Sequence, residues 1–149
     1  MKHRLVVLYA LGIVGLFSFL GAAAVRAQST SDEAAVRAQI QRLVDYFNAK
    51  NAAGIAQLYA PDADRRDGAG VWARGRTEIA AMYERTVRAI PDGVIVRFEF
   101  SVRFVNPGVA LADGEWKASD GRRGPFTIVA IKNATQWSVA AGRQGPAFP

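Results

Sequence analysis

At Val94 the hydrophobic period of this chain changes, and that change restricts the fold more than any other feature. Before it, apolar residues recur at helical spacing. Val36, Ile40, Leu43, Val44 and Phe47 mark one face of a helix over residues 33–49, with Thr30 and Glu33 reading as its capping box. Asn51 is placed to cap a second helix over 52–60, with Ile55, Leu58 and Tyr59 turned inward and Pro61 as its stop. Ile79, Met82, Tyr83, Val87 and Ile90 form the apolar stripe of a third helix over 77–89. After it, the period is 2. Val94, Val96, Phe98, Phe100, Val102 and Phe104 share one face of a long strand, and Ile95, Arg97, Glu99, Ser101 and Arg103 share the other. Strands over 109–118, 126–132 and 136–143 follow, separated by Asn106-Pro107-Gly108, the polar stretch 119–124 and Asn133-Ala134-Thr135. The last turn also matches a glycosylation sequon. The tail from Gln144 to Pro149 has no periodicity. Helices first and a meander afterwards predict an α+β fold, with three helices packed on a strongly bent antiparallel sheet.

The first 27 residues stand apart. Lys2, His3 and Arg4 precede an uncharged run from Leu5 to Val25, and Val25-Arg26-Ala27 places small residues before Gln28. This is the layout of a secretory signal peptide cleaved near Ala27/Gln28, which implies a secreted or periplasmic protein. An uncleaved anchor is the alternative, since the apolar run is long enough to span a bilayer. Residues 28–149 then form a single domain. Without Lys2, Arg4 and Arg26 the balance is 16 basic against 13 acidic side chains, or +3, half the +6 of the whole chain. The remaining arginines alternate with acids and make no basic stripe, so no nucleic-acid partner is expected, and no membrane partner after cleavage.

Two missing residue types exclude whole classes of chemistry. The chain has no cysteine, and its one histidine, His3, lies in the leader. Residues 28–149 therefore hold no Ser-His-Asp or Cys-His machinery, no thiolate or imidazole metal site and no disulfide. No cofactor or metal is expected. Asp62, Asp64 and Asp67 are spaced faintly like a calcium loop, but the bidentate glutamate at the twelfth loop position is lacking. With no group titrating near neutrality, stability is expected to change little from about pH 6 to 8 and chelators to do nothing.

Between the helical and strand halves lies Tyr59-Ala60-Pro61-Asp62-Ala63, then Asp64 to Asp67, a Gly68-Ala69-Gly70 turn, Val71-Trp72-Ala73-Arg74, and Gly75-Arg76 with Ile79 opening the third helix. Short strands are expected over 63–67 and 71–74. Together with the first helix and the late Trp137-Ser138-Val139, this segment resembles the nuclear transport factor 2-like superfamily, in particular its SnoaL-like and ketosteroid-isomerase-like members. The resemblance extends from about Val36 to Arg143. It implies a cone with a ligand pocket under helices, and often a homodimer built from sheet faces; the outer face of Val94–Val105 offers Arg and Glu for isologous pairing. In ketosteroid isomerases an aspartate after the short helix is the general base, and counting from Tyr59-Ala60-Pro61-Asp62-Ala63 places Asp67 there. The oxyanion-stabilising tyrosine of those enzymes falls at Leu43, and the partner acid falls near Val129. The resemblance thus implies a base without its oxyanion hole.

Two functional readings follow. One is a secreted binding module for a small hydrophobic ligand, its pocket lined by Tyr46, Tyr59, Trp72 and Tyr83, with a void left by Ala110, Ala112 and Gly114 and floored by Trp116. The other is an isomerase or cyclase acting on an enolisable hydrophobic ketone, with Asp67 as base and Tyr46 or Tyr59 as a polar helper. For Asp67 the plain alternative is a turn residue before Gly-Ala-Gly.

Overall fold

The computed structural model describes residues 30–149; the leader expected over 1–27 lies outside the described residues. Helix α1 covers 30–48. It is helical from Thr30, three residues before the predicted start of its buried face at 33. Helix α2 is Ala52–Gln57, and the Asn51 side chain accepts from the Gly54 N–H at 2.8 Å. This satisfies one of the free donors at the helix start.

The second helix ends earlier than its pattern predicts. Leu58 closes it, and strand β1 runs Tyr59–Arg66. Pro61 therefore lies inside a strand and does not stop the helix. Pairing explains the difference. Tyr59 aligns with Val139 and Asp64 with Ala141, with an irregularity between these two points. Pro61, which has no N–H to give a ladder, falls in that irregular stretch. Strand β2, Trp72–Arg74, pairs back on β1, and helix α3, Gly75–Ala89, starts two residues before the predicted Thr77. Gly75 opens it at φ 71°, where a side chain would be strained, and Glu78 accepts from the Arg74 N–H at 2.8 Å.

Strands β3 (Val96–Asn106), β4 (Val109–Ala118), β5 (Arg123–Asn133) and β6 (Gln136–Gln144) form the expected meander. The sheet order is β2-β1-β6-β5-β4-β3. Four of its pairings are antiparallel; β1 and β6 run parallel, a long-range contact that no local period reveals. The tail is not free of order either. Arg123 and Phe148 exchange both backbone hydrogen bonds, at 3.0 and 2.7 Å, and Gly145 donates to Pro125.

From Ala35 to Pro149 the chain is one compact unit. Its core joins the inward faces of the helices (Ile40, Leu43, Ile55, Ile79, Met82) to the inner face of the sheet (Ala112, Ile128, Ala130, Trp137, Val139). Truncating a fully buried member such as Ile79 to alanine costs about 2–5 kcal/mol. Asn48, in the last turn of α1, holds the start of β3 with both ends of its amide: it donates to Val96 O and accepts from Val96 N, each at 2.9 Å. Helix and edge strand are thereby kept at fixed separation beside the cavity described next.

Candidate functional site

Rows of the sheet explain where the interior is left open. Along one inner row Val102 faces Ala112, Ala112 faces Ile128, Ile128 faces Gly142, and Gly142 faces Arg65 of β1. In the next rows Phe98 faces Trp116, which faces Gly124. Two glycines thus sit beside two large side chains. A methyl on Gly142 would stand 3.1 Å from the Tyr59 hydroxyl, and one on Gly124 would stand 2.8 Å from the Trp116 indole nitrogen. A bulge in β6 between its pairings with Val129 and Ala130 turns Gly142 inward after Trp137 and Val139.

The result is a cavity of about 330 Å³ between α1, α3 and the inner face of β3 to β6. Its wall is mainly apolar and includes six aromatic side chains: Phe47, Tyr59, Tyr83, Phe98, Trp116 and Phe126. Phe98 and Phe126 stack with ring centres 4.4 Å apart, and Phe47 meets Tyr83 edge-on at 6.3 Å. Ala147 of the returning tail also borders it.

One polar cluster of the wall gathers around Arg65 of β1. The Tyr59 and Tyr83 hydroxyls are 2.9 Å apart and both tyrosines are buried. The Arg65 guanidinium lies over the Tyr83 ring, 4.4 Å from its centre, and donates from Nη2 to Gln144 Oε1 at 2.7 Å. Only 7% of Arg65 is exposed, and its Nε donates to nothing among the described residues. Burial opposes its charge, but the oxygens of Tyr83 and Tyr59, and Asp67 acting at a distance, outweigh it and hold the guanidinium protonated. Burial pushes the Tyr83 hydroxyl well above the ordinary tyrosine range, with Arg65 pulling only partly the other way, so it is a neutral hydrogen-bonding group at physiological pH. A second buried donor, Trp116 Nε1, is also unmatched.

The structure brings Tyr59, Tyr83 and Trp116 together on this wall and places the other expected residues elsewhere. Tyr46 packs half-buried against the core outside the cavity. Trp72 is half exposed and stacks under Arg143 at 4.7 Å. Ala112 is fully buried in the core, covered by neighbouring side chains. Gly114 gives no void: a methyl there would overlap the Glu99 carbonyl of β3, so this glycine admits close strand approach. Asp67 does not border the cavity. Its Oδ1 accepts from Ala69 N at 3.0 Å and Val71 N at 2.9 Å, and its backbone closes the same turn with Val71 and Gly70. Asp64 holds Arg143 at 2.7 Å. Arg76 donates to the Tyr59 carbonyl at 2.8 Å.

The model of the SnoaL-like domain matches residues 40–143. The chain belongs to the SnoaL-like domain family. Among functionally curated proteins, none matches this sequence. Solved structures agree on the fold. A domain of unknown function with a cystatin-like fold from Nostoc punctiforme is similar at 26% identity and a TM-score of 0.71, covering 80% of each chain. A nuclear transport factor 2-like protein from Novosphingobium aromaticivorans is similar at 20% identity and a TM-score of 0.75, covering 85% of this chain and 89% of its own. A protein from the same organism, assigned provisionally as a scytalone dehydratase, is similar at 12% identity and a TM-score of 0.71, covering 83% and 90%. The SnoaL-like chain thus has a cavity in a shared fold, and its own side chains distinguish it.

Sequence reasoning passed over Arg65, Gln144 and the two glycines. The available signal was phase: Ala63 and Arg65 are two apart on one strand, so an arginine shares the face of a buried alanine.

Proposed function

We propose that this SnoaL-like domain is a binding module for a small hydrophobic molecule held in the aromatic cavity. The single observation that carries the reading is the volume of about 330 Å³ with a mainly apolar wall to which six aromatic side chains contribute, which is at the small end of ligand pockets and suits a one- or two-ring molecule. A wider depression beside Lys50 and Asp92 is polar and shallow and offers no such wall. A thermal-shift screen of one- and two-ring aromatic and alicyclic compounds, followed by native mass spectrometry, tests this. Failure of every such class to bind would end it.

The alternative, an isomerase or cyclase with Asp67 as general base, is less well supported. A base must come within hydrogen-bond reach of the proton it removes. Asp67 is outside the cavity wall, with one carboxylate oxygen committed to two backbone donors. The resemblance to a protein provisionally assigned as a dehydratase, at 12% identity, speaks for fold alone.

Two further parts of the reading concern location and assembly. We propose export through cleavage near Ala27/Gln28, checked by N-terminal sequencing of the exported protein. We also propose a homodimer through the outer sheet face, where Glu99 is shared between Lys117 and Arg97. Light scattering that finds only monomer at high concentration would exclude it.

A further inference from the structure

We propose that the ligand is a hydrophobic carboxylic acid, bound as its anion with the carboxylate on Arg65 and a second acceptor atom on Trp116. This rests on the binding reading above and assigns its chemical class.

Three arginines border the cavity, and none of its lining side chains is acidic. Arg122 is held by Asp120 through two contacts of 2.9 and 2.7 Å, and Arg143 by Asp64. Arg65 alone makes no ion pair among the described residues, yet it is the most buried of the three. A buried charge without a counter-charge is costly, and folds tolerate one where a ligand completes it. The hydrogen-bond census points the same way. The buried side-chain nitrogens left unmatched among the described residues are Arg65 Nε and Trp116 Nε1, and both residues line this one cavity. Both are donors. A ligand that satisfies them supplies acceptors, not donors.

Charge and geometry then narrow the acceptor. Gln144 takes one Nη2 hydrogen, and the guanidinium keeps further N–H donors, Nε among them, of the kind that carboxylate oxygens accept. One unneutralised cation matches one negative charge, so a monoanion fits better than a phosphate dianion. Gly142 keeps the approach open, since any side chain there would occupy the space beside Arg65 and the Tyr59 hydroxyl. The aromatic wall receives the rest of the molecule.

The test compares 2-naphthoate with its neutral isosteres 2-naphthamide and naphthalene, and benzoate with benzamide, by calorimetry at pH 7 on the wild-type protein and on Arg65→Met and Arg65→Lys. The acids should bind about 10- to 100-fold more tightly than the amides, the range of a charge-assisted hydrogen bond. Arg65→Met should abolish that preference while retaining naphthalene, and Arg65→Lys should restore part of it. An amide that binds wild type as well as its acid overturns the carboxylate assignment and leaves the binding reading intact; this comparison needs no variant to fold. A preference that survives in Arg65→Met also overturns it. Binding of none of the compounds overturns both readings.

Discussion

Arg65 and Asp67 are two residues apart, both charged, and of the same strand parity, yet one belongs to the cavity wall and the other to a solvent-facing turn. The reason is where β1 ends. Arg65 still pairs with Gly142 of β6, so the ladder fixes its side chain inward. The strand stops at Arg66. One residue later no ladder holds the backbone, and the Asp67 carboxylate is recruited by the N–H groups of Ala69 and Val71. A charge enters a site here because the sheet carries it there, not because its type suits a reaction. The same contrast sets two electrostatic regimes: a buried cation without an acid, against a half-buried acid satisfied by backbone.

The largest effect should come from filling the space between the two tyrosines and Arg65. Gly142→Val places methyl groups where even a Cβ would be 3.1 Å from the Tyr59 hydroxyl. Overpacking of this kind costs about 1–3 kcal/mol. Denaturant unfolding should show that loss, and calorimetry should show no naphthoate binding. A variant of unchanged stability and affinity would mean that Gly142 does not shape the cavity.

Next is Tyr83→Phe. It keeps the ring under Arg65 and deletes one hydroxyl of a buried pair 2.9 Å apart. Leaving the Tyr59 hydroxyl without that partner costs about 1–2 kcal/mol. The same substitution sharpens a pH prediction. The folded-state pKa of Tyr83 is raised, so its contribution is fully present below the unfolded tyrosine value near 10 and is lost as pH rises through the folded value. Stability should fall above about pH 10 by up to roughly 1.4 kcal/mol per pH unit for this one proton. In Tyr83→Phe that slope should shrink. At the acid end, Asp92, Glu99 and Asp120 are held low by Lys50, Lys117 and Arg122 respectively, so the stability they add is present above the ordinary carboxylate range and lost as pH falls below it. Between pH 6 and 8 the melting temperature should be flat, and a steep titration there would mean that a wall group titrates near neutrality.

These regions also differ in how far the sequence disclosed them. The alternation from Val96 to Phe104 and the helical stripes report burial directly, so elements and inner faces were legible. The parallel β1–β6 pairing joins residues about eighty apart, and no local pattern encodes it. That pairing decides the site, because it sets Arg65 against Gly142 and gives Arg65 its Gln144 partner. Tyr59, Tyr83 and Trp116 could be chosen as large amphipathic residues on inward faces. Tyr46, chosen on the same ground, and Ala112, chosen as a small residue on an inner face, pack in the core, since facing inward does not distinguish a cavity wall from a filled core, and Trp72 is half exposed under Arg143.

The smallest effect should belong to Asp67→Asn. Asparagine keeps the Oδ1 acceptor for Ala69 and Val71, so the turn persists and stability should change by less than about 0.5 kcal/mol. The substitution removes one negative charge that acts on Arg65 without touching it. Its loss slightly favours an incoming anion, so naphthoate affinity should be unchanged or rise by less than about threefold. Asp67→Ala should separate the two roles: it deletes the acceptor as well, costs about 1 kcal/mol through the turn, and still leaves the affinity near that of Asp67→Asn. Were Asp67→Asn instead to abolish binding, or to remove turnover of an enolisable ketone, the carboxylate would have to reach the cavity in the working protein. The boundary drawn here between wall and turn would then fall.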